Sequence, residues 1–568
     1  MAKEIHYEVF RRVGAKGGWT MHEVCGDRQR ALNMAQELMA SDQATGVKVV
    51  KETYNEETGD YLTLKIFEDG RNEMKEAAVK EEPPQALPCF KPDDLYSYHS
   101  RQTMGRLFVD FLSRNKVTIT ELIHRADLLE KLEATGTVYQ HAVQKIAVAQ
   151  ASSTAVPVQQ IIKSLNELAT QALQRVYRDQ RKGLFPNPDT HHFAELAAKL
   201  AGQGDAAYVF NGALARNLKD TDGWNGKVLA LLQILQKAPA EGAPRALVLS
   251  SIDAIMAEIL TGSAALHELI GGAENLAEAL SCLVELFLGK ATGGNQEGLA
   301  PLAARFTADE LPEARTAIAG RIVAEFKSAK RLCPNSLVEE LKALRRLANR
   351  VVMGIGKYLS HEDLIEAFTL RSKRLVTPET LSNYLAECQP DEKMERLLFV
   401  EENIIGIENK RQLANFVLPV LNGAAFENFF QNTKVPVLSR LQRLAQLQGR
   451  VRRASFVDVQ RDEIAQKLDR LAWDVAARGR LFEGLEAKNQ THVERVQTLL
   501  KLTNSGFFTE GQVMARVRDM VLVAVGKPGF LTSYFAGQPA SDDGMAALMV
   551  ELNKVGITDE MGLSLIAA

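Results

Sequence analysis

Two regimes of hydrophobic patterning divide the chain near residue 70. Ahead of that point, β-branched and aromatic residues fill Ile5–Val13 (IHYEVFRRV) and Trp19–Val24 (WTMHEV), separated by Gly14, Gly17 and Gly18. Two such runs around a glycine-rich turn predict an antiparallel hairpin. Asp27 stands where a helix N-cap belongs, and Ala31, Met34, Ala35 and Leu38 follow at helical spacing. Gly46–Tyr54 and Tyr61–Phe67 predict a second hairpin around Thr58-Gly59-Asp60. Within it Tyr61, Thr63, Lys65 and Phe67 alternate with Leu62, Leu64 and Ile66, as a half-buried strand requires. The predicted order is ββαββ, four strands with one helix on one face, close to the smallest unit that holds a core alone.

Residues 71–94 carry Pro83, Pro84, Pro88 and Pro92 among alternating charges. Proline removes backbone donors and disfavours helix in the residue before it, so this stretch reads as an extended linker. Beyond Asp94 the pattern is helical almost throughout. Ser336 with Glu339, Thr307 with Glu310 and Thr509 with Gln512 have capping-box spacing, and Thr377-Pro378 has an N-cap before a first-turn proline. Ile464, Leu468, Leu471 and Val475 form one apolar stripe, and Leu438, Leu441, Leu444, Leu447 and Val451 another. The latter two predict a helical hairpin joined near Ala454-Ser455. No repeat with fixed signature positions recurs, so the helical part is expected to be an irregular α-solenoid or two to three bundles. The expected fold is mainly α, a small N-terminal α+β domain at 1–70 and a large all-helical body at 95–325 and 326–568.

Charge separates the body further. Residues 205–320 hold fourteen Asp and Glu against eight Lys and Arg, whereas 326–374 and 434–481 each hold eleven bases against five acids. These blocks hide inside a formal net charge of -3 for 568 residues. Five scattered cysteines point to a reducing compartment. The N-terminus lacks a signal-peptide core, and no apolar run is long enough to cross a bilayer, so a cytoplasmic protein without membrane insertion is expected.

Candidate chemistry is sparse. Gly354-Ile355-Gly356-Lys357 and Gly223-Trp224-Asn225-Gly226-Lys227 lack the spacing and hydroxyl residue of a phosphate-binding loop, and read as helix ends or turns. His191-His192 diverge by about 100° on a helix, and His361-Glu362-Asp363 reads as the acidic first turn after Ser360. His22, Cys25 and Asp27 make too small a set for a metal, so neither a metal nor a cofactor is expected. Arg440, Arg443, Arg450, Arg452 and Arg453 are the candidate partner-binding residues, though the first three interleave with the leucine stripe and so also read as the solvated side of that helix. Arg452-Arg453-Ala454-Ser455 marks Ser455 as a candidate phosphorylation site near a helix start. The N-terminal unit has only nine Lys and Arg residues, outnumbered by its acids, which argues against a nucleic-acid-binding sheet.

The expectation is a non-enzymatic, cytoplasmic interaction or regulatory scaffold that binds protein partners through helical surfaces and a tethered N-terminal docking or sensing domain. The alternative is an enzyme whose site is assembled between helices and leaves no local motif, and the third reading is a nucleic-acid accessory protein.

Overall fold

A computed structural model describes residues 5–13, 19–41, 43–55, 60–70, 87–154, 156–187, 189, 192–487, 490–536 and 541–558. Gly14, Gly17, Gly18, Thr58, Gly59, His191 and residues 71–86 lie outside these. Two compact units are present: Met1–Pro88 with Val143–Lys163, and Cys89–Ala142 with Ser164–Ala568.

In the first unit β1 (Ile5–Arg12), β2 (Thr20–Cys25), β3 (Gly46–Asn55) and β4 (Asp60–Gly70) form an antiparallel sheet in the order β2-β1-β3-β4. The expected pairings β1–β2 and β3–β4 are joined by a central β1–β3 ladder. The helix Arg28–Ala40 starts where Asp27 accepts a hydrogen bond from the Arg30 N–H at 2.9 Å. Its small residues Ala31 and Ala35 bring the helix close to Val9, Val47 and Val49, which are fully buried. The expected alternation in β4 slips once. Val49 lies opposite Phe67 and Val50 opposite Lys65, so Ile66 is the extra residue of a bulge. Ile66 and Phe67 consequently both pack on the core, while Lys65 stays exposed and pairs with Glu68 at 2.6 Å.

The described residues of the second unit form helices between Tyr98 and Lys554, and its first described turn lies within the stretch expected as linker. Pro92–Tyr96 is a 3-10 turn, and Asp94 accepts the N–H groups of Phe90 and Lys91 at 2.8 and 3.2 Å. One apolar cluster runs from Ala126 to Ile557. The helix Gly242–Thr261 packs on both Phe193–Leu200 and Pro312–Lys327. Such contacts skip intervening helices, unlike the neighbour-only stacking of a solenoid. Among the described residues no single helix is long and apolar enough to cross a membrane. Gly242–Thr261 and Ser263–Ile270 reach that length only across a 91° bend.

Local caps explain some helix starts. Ser336, Ser360 and Thr377 accept from the N–H groups of Glu339, Asp363 and Thr380. Thr307 does not cap: it is the last residue of the helix Gln296–Thr307, and its hydroxyl donates back to the Ala303 carbonyl at 3.1 Å. The next helix, Pro312–Lys327, is held instead by Asp253, which accepts the N–H groups of Glu313 and Ala314 at 2.8 Å each. Thr509 likewise donates to Asp469, whose carboxylate accepts the Gln512 N–H at 2.6 Å. Orphan amides at these helix starts thus find their anion on another helix.

Candidate functional site

The helices Val437–Arg453 and Asp458–Arg478 pack as the expected hairpin, with the Gln448 amide donating to the Ala465 carbonyl at 3.1 Å. Its arginines do not form one patch. Arg440 is buried and donates to the Phe430 carbonyl at 2.8 Å. Arg443 pairs with Asp391 and Glu395, at 3.0 and 2.7 Å. Arg450 pairs with Glu402 at 2.8 Å and Arg452 with Glu510 at 3.1 Å. Arg453 is exposed, with no ion-pair partner among the described residues. Three of the five candidate arginines are therefore satisfied by acids of other helices. Ser455 is exposed, and its N–H donates to Glu401 at 2.8 Å; the N-cap of the following helix is Val457, so Ser455 does not occupy that position.

The basic block at 326–374 divides differently. Arg371 is buried with Glu340 at 3.3 Å and donates to the carbonyls of Glu325, Phe326 and Lys330, closing the end of the helix Pro312–Lys327. Lys327 pairs with Glu366, and Arg350 with Glu285. Arg345 and Arg346 remain in solvent without an ion-pair partner among the described residues. Both lie on the helix Leu337–Val351, and seven residues further on Val352 and Met353 continue the same face. Val352 is 52%, Met353 69% and Ile355 37% exposed. This apolar ridge is held rigidly from below. A Cβ at Gly354 would clash with the edge of the Phe287 ring, Gly356 donates to the Leu359 carbonyl at 3.0 Å, and Lys357 pairs with Asp309 at 2.9 Å. The glycine-lysine stretch is thus a turn after a helix.

A third feature is a cavity of about 150 Å³ beneath the helix Tyr98–Leu107. Leu112, Val117, Ile119 and Trp224 give it apolar walls, and Arg101 and Glu258 meet in its floor at 2.8 Å. Glu258 also accepts the N–H and hydroxyl of Thr120, at 2.9 and 3.0 Å, and Arg101 reaches Glu313 at 3.4 Å. Burial pushes the Glu258 carboxyl up from its ordinary range, and the same cause pushes Asp253 up to about 6. Beside the floor, Lys227 is buried on Glu121 at 2.6 Å, with Arg125 3.6 Å from the same carboxylate. Lys227 belongs to the second glycine-lysine stretch, whose Gly223 opens the helix Gly223–Gln236.

Among the described residues no three His, Cys, Asp or Glu side chains could hold a metal together. Cys25 is buried in the sheet core, where burial pushes its thiol up, and Asp27 is occupied as a cap. His361 sits in the first turn that Ser360 caps. The ridge had a weak sequence signal, since GIGK reads only as a failed phosphate loop, and nothing in the sequence marks the cavity. Asp253 and Glu258 offered more, because an acid inside the apolar run LVLSSIDAIMAEIL needs a buried partner. No family model, curated protein or solved structure matches this chain.

Proposed function

We propose that the protein is a non-enzymatic, cytoplasmic interaction or regulatory scaffold that holds a protein partner on its helical surface, with the ββαββ unit as a second docking or sensing module. The observation that carries this reading is the ridge. Val352, Met353 and Ile355 are apolar groups presented to water on a braced turn, flanked by the unpaired Arg345 and Arg346. Burying a methionine or valine side chain contributes about 1.5–3 kcal/mol, which is available only if a partner covers it. The complementary partner is an acidic segment with apolar side chains, such as an amphipathic helix edged by glutamates.

The test compares partners captured by the full-length protein with those captured by charge and polarity variants at low and moderate salt. Val352→Asp with Met353→Asp should abolish capture of the specific partner, and Arg345→Glu with Arg346→Glu should weaken it. The far-UV circular dichroism should not change, and nuclease should have no effect. Capture that survives both ridge pairs refutes this surface. Loss on Arg452→Glu with Arg453→Glu instead would move docking to the Val437–Arg453 helix, and loss on nuclease treatment would favour nucleic acid.

A further inference from the structure

The cavity beneath the helix Tyr98–Leu107 supports a second inference that does not depend on the ridge. Its volume is about 150 Å³, and an apolar cavity of about that size accommodates a benzene ring. Gly105 contributes to the space. A Cβ there would meet only the Ile119 Cγ1, at the ordinary contact distance of 3.9 Å, so the helix has room for a side chain that the sequence does not supply. Glycine disfavours helix relative to almost any other residue. The floor is electrically closed, because Arg101 and Glu258 are paired with each other. At the mouth, Val109 is 48% exposed and Arg106 is a solvent-facing cation with no ion-pair partner among the described residues.

We propose that this cavity binds a compact apolar monocarboxylate of about the size of benzoate, its ring against Trp224 and Ile119 and its carboxylate on Arg106. A planar guanidinium takes a carboxylate through two parallel hydrogen bonds, which selects an acid over a neutral ring of equal shape. For a ligand so small, a Kd on the order of 0.1–1 mM is expected.

The experiment uses the full chain and fluorine NMR. 4-Fluorobenzoate should show saturable line broadening that unlabelled benzoate reverses, whereas 4-fluorobenzamide should bind at least about tenfold more weakly. Gly105→Leu fills the cavity and should remove binding of both. Arg106→Gln, at an exposed position that leaves the fold untouched, should bring the benzoate affinity down to that of the amide. The proposal is overturned if the wild-type chain shows no saturable binding up to about 10 mM. It is equally overturned if the amide binds as tightly as the acid, or if Gly105→Leu and Arg106→Gln both bind benzoate unchanged.

Discussion

Removing the His124 imidazole should flatten the acid sensitivity of the helical body. The ring is 2% exposed and lies among Tyr96, Tyr208 and Phe185, with centroids 5.0, 5.2 and 6.0 Å away. Its Nδ1 is 2.7 Å from the Thr120 carbonyl oxygen, so that nitrogen carries the proton and donates. Nε2 is buried without a hydrogen-bond partner. Burial is the main cause that pushes the pKa down to about 4; the Thr120 carbonyl and, more weakly, the Tyr208 backbone oppose it, and the cations of Arg175 and Arg101 add to it. The unfolded imidazole titrates near 6.5. Between those values the unfolded chain binds a proton that the folded chain refuses, so stability falls as pH falls. From pH 7 to pH 5 the loss is about 2 kcal/mol, one pKa unit being about 1.4 kcal/mol. Asp253, pushed up to about 6, acts in the opposite direction: the folded carboxyl takes its proton first and gains stability as pH falls through that value. A wild-type curve therefore mixes the two signs, and the difference between wild type and His124→Phe isolates the imidazole. Phenylalanine keeps the aromatic packing and cannot titrate. Urea unfolding followed by far-UV circular dichroism at pH 7 and pH 5 measures that difference. The variant should escape about 2 kcal/mol of acid destabilisation relative to wild type, whatever its stability at pH 7. Equal losses in the two proteins would refute the buried, neutral assignment.

Other perturbations follow from the same interior. Lys227→Met leaves the Glu121 carboxylate in the core with only the Thr118 N–H at 2.9 Å and Arg125 at 3.6 Å, and should cost about 3 kcal/mol in urea unfolding; adding Glu121→Gln should recover part of it. Asp469→Ala removes the acceptor for the Thr509 hydroxyl and the Gln512 amide together, so a loss of about 2–4 kcal/mol is expected by the same measurement. Gly354→Ala drives a methyl into Phe287, and should cost about 1–3 kcal/mol in thermal or urea unfolding while weakening whatever the Val352–Met353 ridge binds.

How far the sequence reached depended on the distance over which each feature is built. The β-sheet unit was legible because alternation, the glycine-containing turn runs and the Asp27 cap are all encoded within a few residues of where they act. Even there the Ile66 bulge escaped, since a one-residue register slip is decided by the partner strand β3. In the body, local caps at Ser336, Ser360 and Thr377 could be read, but Thr307 and Thr509 could not be told apart from them by spacing. Which serine or threonine caps a helix is settled by whether its own amides are free. At Pro312–Lys327 and Gln512–Val525 the amides are already taken by Asp253 and Asp469, sixty and forty-three residues away in sequence. The pairing of the arginines was illegible for the same reason. A count of eleven bases against five acids in 434–481 gives the charge of the segment, but Asp391, Glu395, Glu402 and Glu510, which engage it, all lie outside that segment. Charge that is matched across the fold contributes little to recognition, and what remains for a partner is the unmatched residue of each block. By that criterion Arg345, Arg346 and Arg453 outrank Arg440, Arg443 and Arg450 as recognition charges, and the first two adjoin the exposed apolar ridge of Val352 and Met353. Association strength should therefore depend on salt through Arg345 and Arg346, and on apolar contact through Met353. Reversing the buried Arg440 would instead place an unpaired carboxylate in the core and report on folding rather than on binding.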